Sequence, residues 1–302
     1  MRILVYDANA ISSRMRHAQK FLTTSDNRRS GVVYGFLQNL NWIRRKLALQ
    51  REQIFMVWDG GRSAFRKAKL PEYKARKPLA DEVEFHEYLA QLDALHKNIL
   101  HFGIRGQLKI KGIEADDLIS AMTRTLAAGG HMPIVYTSDR DLHQLADVAM
   151  IYDPVAGMLT TEDILAMHGV TEIRQIPLLK AMQGDPSDKI PGVGGVGKKK
   201  ASKALPHVLN FFGLSEQPDP EPETNGSVKV VQKVKDCQEI VRRNLELITL
   251  PKDFDSVRDL LPGQLEEISE ALEHKPSFDI DGMTAFLRHW ECSTLLENFD
   301  RF

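Results

Sequence analysis

PIVYTSDRD, residues 133–141, is a short apolar run rich in β-branched and aromatic residues, with two aspartates just past its end. Ile134, Val135, Tyr136 and Thr137 favour a strand, and side chains at alternate positions share a side, so Asp139 and Asp141 can face one place. The bland alternative is a turn and helix cap ahead of DLHQL. Outward from this stretch the pattern recurs. RILVYD at 2–7 ends on Asp7, and QIFMVWD at 53–59 ends on Asp59. Residues 31–50 and 115–128 show helical apolar spacing between these runs. A further strand is expected at 148–152, followed by a turn and a capped helix, TTEDILAMHG, that stops at Gly169. Strands alternating with helices predict an α/β fold, a parallel sheet flanked by helices, whose ligands collect at the carboxyl ends of its strands.

Two further acidic groups accompany the strand ends. KGIEADDL (111–118) carries Glu114, Asp116 and Asp117, and GDPSD (184–188) carries Asp185 and Asp188. Glu114 and Asp117 lie three apart and share a helical face, so Asp116 must reach any common site from the irregular first turn. Acids at helix starts have an ordinary explanation in capping and the macrodipole. That explanation gives no reason for acids at three strand ends plus an acidic triplet, and the conjunction favours a metal centre. Two unit charges about 4 Å apart repel by roughly 4 kcal/mol at an effective dielectric of 20, so converged carboxylates need protons or cations. Oxygen donors with few histidines nearby select Mg²⁺, with Mn²⁺ as a substitute, over Zn²⁺. Two such ions roughly 4 Å apart can hold a phosphodiester, generate hydroxide and stabilise the leaving oxygen.

The 302 residues are 42% hydrophobic with a formal net charge of −1, enough for a packed core and against disorder of the whole. Near-neutrality hides segregation: residues 62–77 hold Arg62, Arg66, Lys67, Lys69, Lys74, Arg76 and Lys77 against the single acid Glu72. An acidic centre beside basic arms suits a polyanion held through metals. Phe65 and Tyr73 interleave these bases in RSAFRKAKLPEYKARKPLADEVEFHEYLAQL (62–92), a combination suited to single-stranded nucleic acid, although a charged surface loop reads the same way. Arg14, Arg16, Lys20, Arg28 and Arg29 form a weaker basic segment facing duplex phosphates or solvent. Cys237 and Cys292 have no pairing or metal spacing, no leader precedes the first strand, and no apolar stretch reaches the roughly 20 residues of a membrane span. A cytoplasmic location without membrane association is expected.

Beyond about residue 174 the pattern changes to short helices and glycine turns with no convincing strand. In GVGGVGKKKASKAL (192–205), Gly192, Gly194, Gly195 and Gly197 permit a tight hairpin, and Lys198, Lys199, Lys200 and Lys203 open the next helix. Backbone amides, a helix start and lysines together attract phosphates without reading sequence. The GxxxxGK[ST] register of a P-loop is not met. SEQPDPEPETNGS (215–227) reads as an exposed, flexible loop. Helix resumes near 230, with interruptions at Pro251, Pro262 and Pro276.

Taken in order, YDAN, WDGG, FRKAKLPEYKARK, GIEADDL, TSDRDL, LLKAMQGDPSDKIPGVGGVGKKKA and, more loosely, RRNLELITL resemble the 5′-nuclease family of structure-specific flap endonucleases and 5′ to 3′ exonucleases, especially its stand-alone phage and bacterial type. The resemblance covers most of the chain. It implies a PIN-like catalytic domain over 1–174, with a helical arch at about 60–100 through which a free 5′ strand threads. It also implies a helical DNA-binding region over 175–302, with a helix-hairpin-helix (helix-3-turn-helix) motif at 184–205. Asp7, Asp59, Glu114, Asp116 and Asp117 would serve one metal locus, and Asp139, Asp141, Asp185 and Asp188 the other, some through water. Lys74 matches the family's arch lysine. The arch arginine aligns with Lys77, beside Arg76, and lysine there loses bidentate phosphate recognition. Arg66 and Tyr73 would line the DNA path, and K⁺ would bind main-chain oxygens near Val193 and Val196. The Pro-rich loop departs from the compact family pattern.

These readings converge on a Mg²⁺-dependent hydrolase of 5′ flaps and 5′ ends of branched DNA, and of RNA primers in RNA/DNA hybrids, serving replication or repair alongside replication proteins. A PIN-type endoribonuclease is the enzymatic rival, with the arch and hairpin against it. A catalytically silent junction-binding protein is the other, with the full acid set against it. The tail LLENFDRF (295–302) is expected to pack as helix or to touch a replication partner.

Overall fold

The computed structural model describes residues 1–75, 82–260, 268 and 272–298. Six strands form one sheet in the order β3-β2-β1-β4-β5-β6. They are β1 (Arg2–Asp7), β2 (Ile54–Val57), β3 (Gly106–Leu108), β4 (Met132–Tyr136), β5 (Met150–Asp153) and β6 (Gly157–Leu159). β1 to β5 pair in parallel and β6 closes the edge antiparallel. Because β1, β2 and β4 run the same way, their carboxyl ends open on one side of the sheet. Asp7 lies opposite Val57, two residues before Asp59, and Tyr6 lies opposite Tyr136, three before Asp139.

Both faces of the sheet are covered, which is why the strand interiors, ILVY of β1, IFMV of β2 and IVY of β4, carry apolar side chains on both sides. Ile3 and Val5 point into one core with Leu118, Ile119, Leu178 and Leu247, whereas Leu4 and Tyr6 point into the other with Phe36, Leu40, Trp58 and Phe286. The first core is roofed by α5 (Ala115–Ala128), α7 (Ile176–Gln183) and α10 (Gln238–Ile248). The second is roofed by α1 (Ala8–Ala18), α2 (Gly31–Lys46) and α12 (Ile280–His289). The first core runs unbroken from the sheet into the helical region, so the two halves share one interior.

Several expectations need adjustment. The helix expected to reach residue 50 ends at Lys46, where Ala48 turns to a positive φ of 49°. α1 and the short β3 and β6 were not legible, being too short or too polar to show a period. α6 (Thr161–His168) is capped as expected, through a capping box of Thr160 with Asp163, and ends on left-handed Gly169. The helical region has a strand pair after all, β7 (Gly184–Asp185) with β8 (Ile190–Pro191), two residues each. α8 (Lys198–Ala204) follows, and α9 (Asn225–Asp236) starts inside the segment read as loop, capped by Thr224. The loop itself is tied down: Asp219 accepts the amides of Asn210 and Phe211 at 2.7 and 3.0 Å. α3 (Ala64–Lys69) and α4 (Glu82–Asn98) flank residues 76–81, so Arg76 and Lys77 lie outside the described residues, as do Pro262 and 299–302 of the tail. Arg16 and Arg29, read as facing duplex phosphates or solvent, pair with Glu84 and Glu87 of α4. No helix among the described residues is long and apolar enough to cross a membrane.

Candidate metal centre

Asp7 is both a helix cap and a buried member of the acidic group at the strand ends. Its Oδ1 accepts the Ala10 amide at 3.0 Å and starts α1, while its Oδ2 accepts the Thr137 hydroxyl at 2.6 Å, joining the ends of β1 and β4. Asp139 likewise caps the 3₁₀ turn Arg140–Leu145 by accepting the Asp141 amide at 2.8 Å. Capping therefore does not exclude a metal role for these acids. Asp59 accepts the Gly61 amide at 2.6 Å, and its own amide donates to Asn9 Oδ1 at 2.8 Å, which holds the β2 end against α1.

Electrostatics shows the convergence. Burial pushes the Asp7 carboxyl up to about 6, against its two hydrogen bonds and with help from Asp139 and Asp59. Asp116 is driven well up by burial and by Asp139 and Asp7. Burial also raises Asp139, with Asp141 adding to it, and Asp59, with Glu114 adding to it. Four of the expected acids thus share one field whose repulsion favours a proton or a cation.

The second group forms where the helical region meets the sheet. Asp141, Asp185 and Asp188 each offer an oxygen, all within 4.8 Å of one another. Lys180 in the last turn of α7 bridges Asp141 and Asp185, at 2.9 Å from Asp185. Burial works against the Asp185 charge, yet Ser187 and Lys180 hold its carboxyl below the ordinary range. Asp188 is raised by burial, with Lys74 opposing. These acids and Asp116, Asp139 and Lys74 line one open crevice of about 410 Å³. All-oxygen donors spaced for a shared ligand fit hard divalent ions.

The acidic triplet divides differently from expectation. Asp117 is fully buried, and both its oxygens bind the Arg66 guanidinium at 2.6 Å. Its assignment to a metal locus is corrected: Asp117 anchors Arg66. Arg66 is 5% exposed and also donates to Glu114 and to the Leu247 carbonyl, so its expected contact with DNA is corrected too. Tyr73 is 3% exposed, its hydroxyl donating to Glu114 at 2.8 Å, and it offers no ring face to a base. Glu114 and Asp117 do share a helical face, as expected, but that face holds an arginine. Glu114 Oε2 also holds Lys74 Nζ at 3.3 Å, with Asp188 3.7 Å away. Burial opposes the Lys74 charge, and Glu114 and Asp188 more than reverse that effect. Lys74 adopts a φ of +44° and donates its amide to the Asp188 carbonyl at 3.0 Å, so backbone and side chain both fix it over the crevice.

At the hairpin, Gly192 lies so close to α7 that a Cβ would fall 2.1 Å from the Gln183 carbonyl, and Gly195 has a φ of +73°. A side chain at Gly194 or Gly197 would meet open space, so those glycines are not sterically required. Val193 and Val196 are buried, and Lys200 donates to the Gly195 carbonyl at 2.9 Å. Lys198, Lys199, Lys200 and Lys203 are all exposed. Sequence reasoning missed Lys180, Thr137 and Asn244, whose amide donates to the carbonyls of Ala181 and Pro191 at 2.9 and 2.8 Å. A lysine in the last turn before GDPSD was the available signal for Lys180; the other two depend on tertiary contacts.

A parallel sheet with carboxylates gathered at its strand ends, met by an acidic hairpin and a basic helix, defines a class of metal-using nucleases. The chain belongs to the 5′-3′ exonuclease family: residues 2–172 match its N-terminal resolvase-like domain and residues 171–271 its C-terminal SAM fold. Among curated relatives, thermostable DNA polymerase I of Thermus thermophilus is 30% identical over 299 residues, 99% of this chain and 33% of that protein. DNA polymerase I of Mycobacterium tuberculosis is 31% identical over 83% of this chain and 27% of that protein. The chain thus spans about a third of the length of these relatives or less. In fold it is similar to T5 5′-exonuclease solved with zinc, at a TM-score of 0.70 and 21% identity, covering 90% of this chain and 100% of that one. It is also similar to bacteriophage T5 flap endonuclease solved with DNA and metal ions, at 0.67 and 20%, covering 96% and 100%.

Proposed function

We propose that this chain is a divalent-metal-dependent 5′-nuclease that hydrolyses phosphodiesters in 5′ flaps and 5′ ends of DNA, and in RNA primers annealed to DNA, near the junction of single and double strands. The observation that carries the reading is the junction of two acidic groups: Asp116 and Asp139, in the field of the buried Asp7 and of Asp59, line one crevice with Asp141, Asp185 and Asp188. Mg²⁺ suits the first set at one locus and the second at the other, with Asp139 between them, and Mn²⁺ fits the same donors. Such ions supply water activation and neutralisation of the leaving oxygen.

The protein's own residues do the rest. Lys74 is held charged over the crevice, where it orients and neutralises the scissile phosphate, with Arg76 or Lys77 as the second base of the arch. Thr137 fixes the rotamer of Asp7, and the Arg66–Asp117 pair fixes the helix that presents Asp116. Residues 1–174 carry most of the chemistry, with Asp185 and Asp188 of the helical region completing the second locus, while the exposed lysines of α8 and the amides of 192–197 grip the duplex. K⁺ on main-chain oxygens near Val193 and Val196 belongs to the same grip.

The test is cleavage of a 5′-labelled flap duplex with and without Mg²⁺, with Asp139→Asn as control and products mapped to the nucleotide. Short products ending at the junction, lost without metal and in the variant, are expected. Binding without metal-dependent cutting would sink the reading. Lys74→Ala should lower the single-turnover rate by on the order of 10²-fold, the usual effect of removing one transition-state donor, and an unchanged rate would remove Lys74 from the mechanism.

A further inference from the structure

The acidic crevice has a basic and polar wall in which Lys198 of the duplex grip is joined by Arg140, His168 and Gln183, which have no role above. Besides Lys74 and the carboxylates, the lining includes Arg140, His168, Gln183 and Lys198. These come from separate elements: Arg140 from the turn after β4, His168 from the end of α6, Gln183 from the end of α7 and Lys198 from the start of α8. Their convergence is tertiary. Lys198 Nζ reaches the Met167 carbonyl at 3.4 Å, bringing the hairpin helix to the end of α6. His168 is fixed by a 3.0 Å hydrogen bond to His143 and lies in the combined field of Arg140, Lys180 and Lys198.

Gln183 supplies the observation that points to a ligand. Its Nε2 is enclosed and has no hydrogen-bond partner, although the residue lines the crevice. An enclosed amide without an acceptor costs about 1–3 kcal/mol, a penalty relieved when the side chain turns to meet an anion in the crevice. The Gln183 main chain is fixed, since its carbonyl is packed against Gly192 and the adjoining Met182 carbonyl accepts the Val193 amide at 2.9 Å, so only its side chain can turn towards the crevice.

We propose that Gln183, Arg140, His168 and Lys198 form a subsite for a phosphodiester of the cleaved strand on its duplex side, next to the scissile phosphate. The inference rests on the nuclease reading above. A strand passing from Lys74 over the carboxylates towards the lysines of α8 must cross this wall, and the wall's donors suit a phosphate oxygen, whatever the base. Arg140 and Lys198 provide charge, and Gln183 provides a directed donor between the metal ligands and the hairpin. The subsite sets how far the strand advances over the metals, and so where the cut falls.

The test couples protein and substrate changes. Flap duplexes carrying one methylphosphonate at successive positions on the duplex side of the cut are compared for the wild-type protein, Gln183→Leu and Arg140→Gln. For the wild type, neutralising the recognised phosphate should slow single-turnover cleavage by about 10-fold, the scale of a hydrogen bond to a charged group. In each variant the unmodified flap should react slowly and the same methylphosphonate should cost under about 2-fold, with products shifting by a nucleotide. Equal methylphosphonate penalties in variants and wild type at every position would overturn the subsite. Gln183→Glu, which keeps shape and adds charge, should be slower than Gln183→Leu; rates in the reverse order would also overturn it. Should the wild type bind flaps but not cut them, the nuclease reading fails. The same coupling is then read by fluorescence anisotropy, where its presence retains the subsite and its absence removes it.

Discussion

Asp7 is under opposing demands, and the balance can be measured. Burial pushes its carboxyl up to about 6 from an ordinary 3.8, outweighing the hydrogen bonds from Thr137 and Ala10. A raised value means the folded state favours the proton. The stability this contributes is full below about pH 3.8 and is lost as pH rises through 6, about 3 kcal/mol for this group alone. The metal-free protein should therefore lose thermal stability between pH 4 and pH 6.5, and Mg²⁺ should restore more of it at pH 7.5 than at pH 5. Thermal melts with and without chelator read both effects. Asp7→Asn, which keeps an N-cap residue, should raise metal-free stability at pH 7.5 by on the order of 1–3 kcal/mol while abolishing cleavage. A loss of stability in that variant would mean the carboxylate is not strained.

At the level of elements, Arg66 joins three helices: it lies on α3, binds Asp117 on α5 and reaches the Leu247 carbonyl on α10. Removing one partner of a buried pair leaves the other charged and bare, so Arg66→Met should cost about 3–5 kcal/mol in urea unfolding. The double change Arg66→Met with Asp117→Leu should recover part of that loss, as apolar replacement of buried pairs often does. No recovery would show that Arg66 works mainly through Glu114. The α7–hairpin joint is equally local. Gly192→Ala forces a Cβ onto the Gln183 carbonyl, and it should reduce stability by more than Gly194→Ala, whose side chain meets open space.

For the whole molecule, the acidic crevice and the basic helix α8 act on different parts of one strand. Replacing Lys198, Lys199, Lys200 and Lys203 together by Ala should weaken duplex binding. It should also flatten the slope of log K against log salt by up to about 3 or 4, since each neutralised phosphate contributes nearly one unit. An unchanged slope would place the duplex elsewhere on the surface.

The sequence by itself determined the parallel α/β sheet, the helix over 115–128 and the acids that close the crevice. Their signals are local: apolar runs that end in carboxylates, and glycines and caps that stop helices. It also determined the capped α6 and the basic helix after the glycine turn. What it left open were the partners. Asp116 and Asp117 are neighbours in a run of acids, and nothing in their spacing says that one faces the crevice while the other holds a buried arginine. Arg66 and Tyr73 read as surface residues because bases and aromatics in a polar run have no helical period of their own. Their burial is imposed by Asp117, Glu114 and Leu247, up to 181 residues away in the chain. Lys180 between Asp141 and Asp185, and the wall of Arg140, His168, Gln183 and Lys198, exist only once α6, α7 and α8 pack at the strand ends. Contacts between distant segments leave no period in the sequence, so tertiary structure alone decides which charges meet.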